Sequence, residues 1–313
     1  MLSMVIGVDH GYGRMKTAHC NFVDGVTASN HEFPFQDNVL KYKGKWYSIG
    51  GSRLPYMPDK TQTEDYYILT LAACAQEMKA RGATTASVNL AAGTPLTRYG
   101  AEKDKFTKYL MKNKEIAFEW EGEPFHIKLI DTQVYAQGLS ALVYWQSIMK
   151  QKVEDVIILA DLGSGTLDVA LLQNMRIRIE KSYSLNEGIN NAYIHICEKI
   201  RRVAGQSIDE SIIDGVLLDK NLRIKKEYRL LIEEGLCEYA AHIYSCLRDL
   251  NYNLDTAPVY WIGGGAQLMK KYGNLDDEMN VYILNPCANA LGYELTYKSM
   301  QAKAKAAVKT TKK

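Results

Sequence analysis

Apolar positions follow two alternating rhythms along this chain. "MVIGVDHG" is a near-continuous apolar run that ends in an acid and a glycine, the pattern of a buried strand, and "MKTAHCNF" resumes as a second strand after the turn. Residues 30–58 are short segments rich in Gly, Pro and aromatics, which predict a small β region with a loop. "TQTEDYYILTLAACAQEMKARG" then switches to helical spacing, with Thr63 as a candidate cap, acids in the first turn and Gly82 as the stop. "ASVNLAAGTPL" predicts a buried strand that ends in a loop at 93–95, followed by a helix over about 98–112. "IAFEWEGEPFHIKLI" predicts a hairpin turning at Gly122, and "TQVYAQGLSALVYWQSIMK" a further helix.

The rhythm then starts again. "DVIILADLGSGTLDVALL" is a buried strand, a glycine turn and a second strand, continued by "MRIRIEKSYS". Helices follow over about 188–204 and 222–251. "APVYWIGGGAQLMKKYG" is a strand, a glycine turn and a helix, and the chain closes with the strand "VYIL" and a helix over about 288–302. Alternation of strands and helices predicts α/β architecture.

The two strand ends match. Asp9-His10-Gly11-Tyr12-Gly13-Arg14-Met15-Lys16 and Asp161-Leu162-Gly163-Ser164-Gly165-Thr166-Leu167-Asp168 both read Asp-x-Gly-x-Gly, each after an apolar strand and before an alternating stretch. This is an internal repeat of a half-domain. Glycines leave backbone N–H groups bare, and several such groups can point at one anion. The seventh position after each acid differs: Lys16 can bind a phosphate as a point charge, whereas Asp168 suits Mg²⁺ held through its waters. Asp9, Asp161 and Asp168 together would form an acidic cluster for that metal. Ile262-Gly263-Gly264-Gly265-Ala266, between a buried strand and a helix, would let a flat base or a phosphate lie against backbone. No glycine-lysine pair fits the Walker A frame, and the third glycine of the dinucleotide fingerprint is replaced here by Lys16.

Composition narrows the field without pointing further. The chain has 313 residues, enough for two domains, and a formal net charge of +2 that neither favours nor excludes nucleic acid. No apolar run reaches membrane-spanning length and no signal peptide is evident, so a cytoplasmic protein without membrane contact is expected. The six cysteines include no C-x-x-C pair and are expected as free thiols.

The three glycine stretches, in this order, resemble the actin/Hsp70/sugar-kinase ATPase superfamily: its phosphate-1 motif, its phosphate-2 motif and, in "VYWIGGGAQLM", its adenosine motif. Within it, the short chain, "VNLAAGTPL" and "ADLGSGTLDVALL" are similar to the ParM-like (StbA-like) plasmid-segregation actins. The resemblance implies an α/β actin-like ATPase fold, two RNase H-like domains around a nucleotide cleft. Domain I would span 1–150, with a small subdomain at about 31–98, and be completed by a C-terminal helix at 287–304. Domain II would span 151–286, and 305–313 would be a disordered basic tail.

The resemblance also assigns roles. Asp9 and Asp161 would hold Mg²⁺ through water, and Gly11, Tyr12, Gly13, Lys16, Gly163, Ser164, Gly165 and Thr166 would contact the phosphates. Gly188 would lie near the ribose and Gly263, Gly264 and Gly265 beside the base. Gln133 would orient the attacking water, supported by Asp168 and Asp161. Gln positions water without deprotonating it, so hydrolysis would be slow in the monomer. The implied function is an ATP-dependent (or GTP-dependent) filament whose polymerisation moves plasmid DNA. Its partners would be further copies of itself and a centromere-binding adaptor of ParR type, with DNA contacted only indirectly. A small-molecule kinase or a chaperone-like ATPase of the same fold is the alternative.

Overall fold

The computed structural model describes residues 2–55, 57 and 59–311, and no side chain beyond residue 307. The chain divides into two compact units, residues 1–151 with 286–313, and residues 152–285. The first unit contains β1 (Leu2–His10), β2 (Arg14–Lys16), β3 (Asn21–Val23), β4 (Val26–Ser29), β5 (Val39–Tyr42), β6 (Lys45–Ile49), α1 (Asp65–Ala80), β7 (Thr85–Thr94), α2 (Tyr99–Leu110), β8 (Glu115–Trp120), β9 (Glu123–Ala136) and α3 (Leu139–Met149). The second contains β10 (Val156–Leu162), β11 (Leu167–Gln173), β12 (Arg176–Leu185), α4 (Ile189–Ala204), α5 (Glu210–Leu217), α6 (Lys226–Asp249), β13 (Val259–Ile262), α7 (Ala266–Tyr272) and β14 (Asn280–Tyr282). Helix α8 (Ala288–Thr311) returns to the first unit.

One strand order is built twice. In the first unit β3-β2-β1-β7-β9 lie side by side, and in the second β12-β11-β10-β13-β14 do the same. In both, an antiparallel hairpin feeds a central strand whose other neighbours run parallel. The first sheet goes on through β8-β5-β6-β4 to nine strands. Central strands covered on both faces read as unbroken apolar runs. That is why Met4 to His10 of β1 are buried without alternation.

Helix α4 shows how the second core is written. Its buried positions Ile189, Ala192, Tyr193, Ile196 and Ile200 recur at helical spacing, and Ile232, Leu236, Ala240 and Ile243 of α6 share the same core. Each large side chain of this kind contributes about 1.5–3 kcal/mol on burial. A Cβ on Gly235 would lie 2.5 Å from Ile196 Cγ1, so the missing side chain on α6 sets how closely the two helices approach. In the first unit α8 plays the corresponding part. A Cβ on Gly7 would fall 2.0 Å from the Ala290 carbonyl, and one on Gly93 2.0 Å from the Tyr293 hydroxyl.

Three expectations are corrected. The stretch 132–150 is not one helix: β9 runs to Ala136, Gly138 turns with φ 75°, and α3 begins only at Leu139. Thr132 and Val134 are buried and Gln133 between them is exposed, so the period there is two, and pairing with β7 holds it. The helical stretch expected over 222–251 is α6 over Lys226–Asp249, and α5 occupies a segment left unassigned, capped by Asp209 accepting from the Ser211 N–H. Residues 305–311, expected as disordered tail, continue α8, as their run of Ala and Lys favours; Lys312 and Lys313 lie outside the described residues.

Candidate nucleotide site

The two repeated turns are closed in the same way. The Gly11 N–H donates to the Arg14 carbonyl at 3.1 Å, and the Gly163 N–H donates to the Thr166 carbonyl at 2.9 Å. In each hairpin the acid stands opposite the residue seven places on: Asp9 faces Lys16 and Asp161 faces Asp168. Cross-strand partners project to one face of a sheet. The first hairpin therefore pairs opposite charges, with Lys16 Nζ 3.6 Å from Asp9 Oδ2. The second juxtaposes two carboxylates, and the Thr166 hydroxyl donates to Asp168 Oδ2 at 2.9 Å.

What lies behind each turn decides where its amides face. In the second, the Ile189 N–H at the start of α4 donates to the Gly163 carbonyl, and the Asn190 N–H to the Ser164 carbonyl, both at 3.0 Å. Carbonyl and following N–H point in opposite directions across a trans peptide, and the described chain has no cis bond. The N–H groups of Ser164 and Gly165 are thus turned away from α4. Gly188 permits this approach, since a Cβ there would sit 2.3 Å from the Ser164 carbonyl oxygen. Gly188, expected near a ribose, serves here as the N-cap of α4. Its carbonyl accepts from the Tyr239 hydroxyl at 2.8 Å, and Glu187 beside it accepts from the same hydroxyl at 3.0 Å.

In the first turn the carbonyls of His10, Gly11 and Gly13 are taken by the Lys60 ammonium, the Tyr66 hydroxyl and the Asp24 N–H respectively. By the same geometry the N–H groups of Tyr12 and Arg14 are turned away from Tyr66 and Asp24. Tyr12 itself is held by its ring under Lys60 Nζ, at 4.1 Å, and by its hydroxyl accepting from Arg98.

Asp9 is buried at 3% exposure and does not stand alone. Gln137 Nε2 donates to its Oδ1 at 2.8 Å, and the Tyr293 hydroxyl of α8 lies 3.4 Å from the same oxygen. Gln133 is elsewhere: exposed on β9, it donates to the carboxylate of Asp131, at 3.1 Å and 3.3 Å to the two oxygens. The glutamine beside the aspartate is therefore Gln137. The cue was present in "YAQGL", a polar residue set between the end of a strand and the glycine that opens a helix.

The third glycine stretch packs on the end of β10. Gly263 has φ 81°, and a Cβ there would lie 2.5 Å from Asp161 Oδ1. The Gly265 N–H donates to the Leu162 carbonyl at 2.9 Å, and a Cβ on Gly265 would collide with the Leu162 side chain at 2.1 Å. Gly264 faces open space. The adenosine-like loop and the second phosphate-like turn are thus one structural piece.

Among the described residues no group of three or more His, Cys, Asp and Glu side chains is gathered to hold a metal ion. The donors present are carboxylate and hydroxyl oxygens at the hairpin ends. Such donors fit Mg²⁺, which keeps several waters and takes further ligands from phosphate.

With this geometry in place, known proteins give context. Residues 7–139 match the family model for the N-terminal domain of actin-like proteins, and residues 159–273 match that for the C-terminal part of archaeal MreB-like actin homologues. The solved structure of Ta0583, an archaeal actin homologue, in complex with ADP superposes with a TM-score of 0.76, covering 96% of this chain and 100% of that one at 21% identity. This chain has an actin-like fold. Actin-like protein Alp7A gives 0.75 at 14% identity over 98% of this chain and 100% of that one. Bacillus thuringiensis ParM with ATP gives 0.69 at 14% identity over 96% and 100%. No curated protein matches the sequence. No described helix of this actin-like chain is long and apolar enough to cross a membrane.

Proposed function

We propose that this actin-like chain binds a magnesium nucleoside triphosphate, ATP or GTP, through its two Asp-x-Gly-x-Gly turns, hydrolyses it, and polymerises. The observation that carries the reading is the recurrence of one turn, closed by the same hydrogen bond, at the end of the central strand of two sheets with one strand order. Backbone amides aimed away from a supporting element form an anion-binding concavity. Solved relatives of similar fold are described with ADP, ATP and AMPPNP.

In this reading the amides of Tyr12, Ser164 and Gly165 and the Lys16 ammonium bind phosphate oxygens. Asp9 and Asp161 would hold the ion through its waters. Gln137, anchored on Asp9, orients the attacking water, the part first assigned to Gln133, and Asp168 supports that water from the second hairpin. Gly263 to Gly265 lie beside the base. Mg²⁺ would neutralise charge on the phosphates as the bond breaks.

Polymerisation follows from a head-to-tail contact that does not close. Loss of the γ-phosphate removes the charge that both turns hold and frees the polymer to come apart. Similarity to ParM and Alp structures, one of them an Alp12 filament, supports a cytoplasmic polymer that segregates plasmid DNA through a ParR-type adaptor. Light scattering and sedimentation after addition of ATP–Mg²⁺ test the proposal. Polymer that forms and then decays, and that persists in Asp168→Ala, supports it; no polymer with any nucleotide overturns it. A phosphorylated small-molecule acceptor without polymer points instead to a kinase.

A further inference from the structure

Lys60 is a buried lysine with no carboxylate in salt-bridge contact among the described residues, an uncommon situation. It precedes α1, and its ammonium donates to the carbonyl of His10, the last residue of β1. The same ammonium lies over the rings of Tyr12, at 4.1 Å, and Tyr66, at 5.4 Å. Tyr66, from the first turn of α1, carries its hydroxyl 3.4 Å from the next carbonyl, that of Gly11. Two successive carbonyls at the entry to the first turn are thus occupied by side chains from one short segment. In the second turn the matching carbonyls, of Leu162 and Gly163, are occupied by backbone amides, those of Gly265 and of Ile189 at the start of α4.

We infer that Lys60, with Tyr66, is a positioning residue pair that fixes the first turn from behind: Lys60 holds the peptide of residues 10–11 so that the Gly11 N–H closes onto the Arg14 carbonyl, and Tyr66 holds that of residues 11–12 so that the Tyr12 N–H faces outward. A helix N-terminus brings several N–H donors and a partial positive charge. A buried ammonium brings up to three donors and a full charge. Among the described residues no helix amide donates to the carbonyls of His10, Gly11 or Gly13, and the charge behind the first turn comes from a side chain.

The surroundings suit this part and make it costly. Burial pulls the Lys60 amine down to about 8, with Asp9 opposing and Arg98 adding to the effect. Asp24, whose Oδ1 has no hydrogen-bond partner among the described residues, is pushed up to about 6 by burial, against the pull of Lys60. His10 is held down at about 3 by burial and then by Lys60, so it is neutral; its Nε2 meets Thr70 Oγ1 at 2.8 Å. Glu102, Tyr12 and Tyr66 complete the titratable groups around the ammonium. A lysine kept only to stabilise the fold would be better replaced by an apolar side chain of similar length, because buried charges are often neutral or unfavourable relative to such isosteres. Retaining one here trades stability for the pose of the turn.

For its consequence on nucleotide binding, the inference rests on the reading proposed above. The test uses the full chain and hydrogen exchange, so that the two can fail separately. In Lys60→Met, amide protection in residues 11–14 is expected to fall about tenfold while that in 163–166 is unchanged. The thermal midpoint stays or rises, and ATP–Mg²⁺ affinity falls about tenfold. Lys60→Arg restores both to within about threefold, since it keeps a buried cation. Unchanged protection at 11–14, or uniform loosening with a lower midpoint, overturns the inference. Selective loosening in a chain that binds no nucleotide upholds it and sinks the nucleotide reading instead. Should Lys60→Met not fold, the wild-type chain decides between pH 7 and 9.5. Selective loss of protection at 11–14 as the ammonium deprotonates supports the inference, because charge-assisted hydrogen bonds are roughly twice as strong as neutral ones. A flat profile overturns it.

Discussion

The two Asp-x-Gly-x-Gly hairpins share a backbone and differ in almost everything that touches it. The first sets a lysine against its aspartate and is backed by a buried ammonium and a tyrosine. The second sets an aspartate against its aspartate and is backed by the amides of α4. An opposite-charge pair is self-neutralising and suits a site where an anion is gripped. A like-charge pair is unfavourable alone and is relieved by a cation. In the proposed reading one duplicated scaffold carries two complementary tasks, and the difference lies in side chains seven residues from each acid and in what is packed behind.

The sharpest way to break this comparison is to remove the shared acids. Asp9→Ala and Asp161→Ala should each lower ATP turnover by more than about 100-fold in a phosphate-release assay. A mild effect in either would mean that the hairpins do not serve one reaction. The glutamines come next. Gln137→Ala should reduce kcat about 10- to 100-fold with KM little changed, and Gln133→Ala should stay within about twofold. The reverse result would return the role to Gln133.

The residues opposite the acids should then separate binding from chemistry. Lys16→Met is expected to weaken ATP affinity about tenfold by calorimetry, whereas Asp168→Asn should leave affinity within about threefold and lower turnover. The smallest expected effect concerns the glycines. A Cβ on Gly11 would lie 2.6 Å from the Arg14 carbonyl oxygen, but one on Gly163 only reaches ordinary contact at 3.5 Å. Gly11→Ala should cost roughly 1–2 kcal/mol in denaturant unfolding and Gly163→Ala less than about 0.5 kcal/mol. Any loss of nucleotide affinity in Gly163→Ala then reports how near a ligand comes, and not damage to the fold.

Both turns were legible in the sequence because glycine spacing and a strand-ending acid are local features. So were the strands around them, whose apolar runs persist after burial on two faces. The segment around Gln133 misled because "TQVYAQGLSALVYW" mixes apolar and polar residues in a way that fits either period over so short a window. Pairing of β9 with β7 as far as Thr94 decided for strand. That choice moved the catalytic candidate by four residues, to Gln137. Helix α5 went unseen because its eight residues lie between polar stretches, with Asp209 as its one clear start signal.

By itself the sequence determined the α/β alternation, the duplicated turn and the contrast between Lys16 and Asp168, since each depends only on residues close together along the chain. Tertiary structure decided that Gln137 and Tyr293 meet Asp9, and that Lys60 stands behind His10. Those partners are separated by 128, 284 and 50 positions respectively. Their meeting depends on how sheet and helices pack, and no local pattern of side chains encodes a contact that only the folded core brings about.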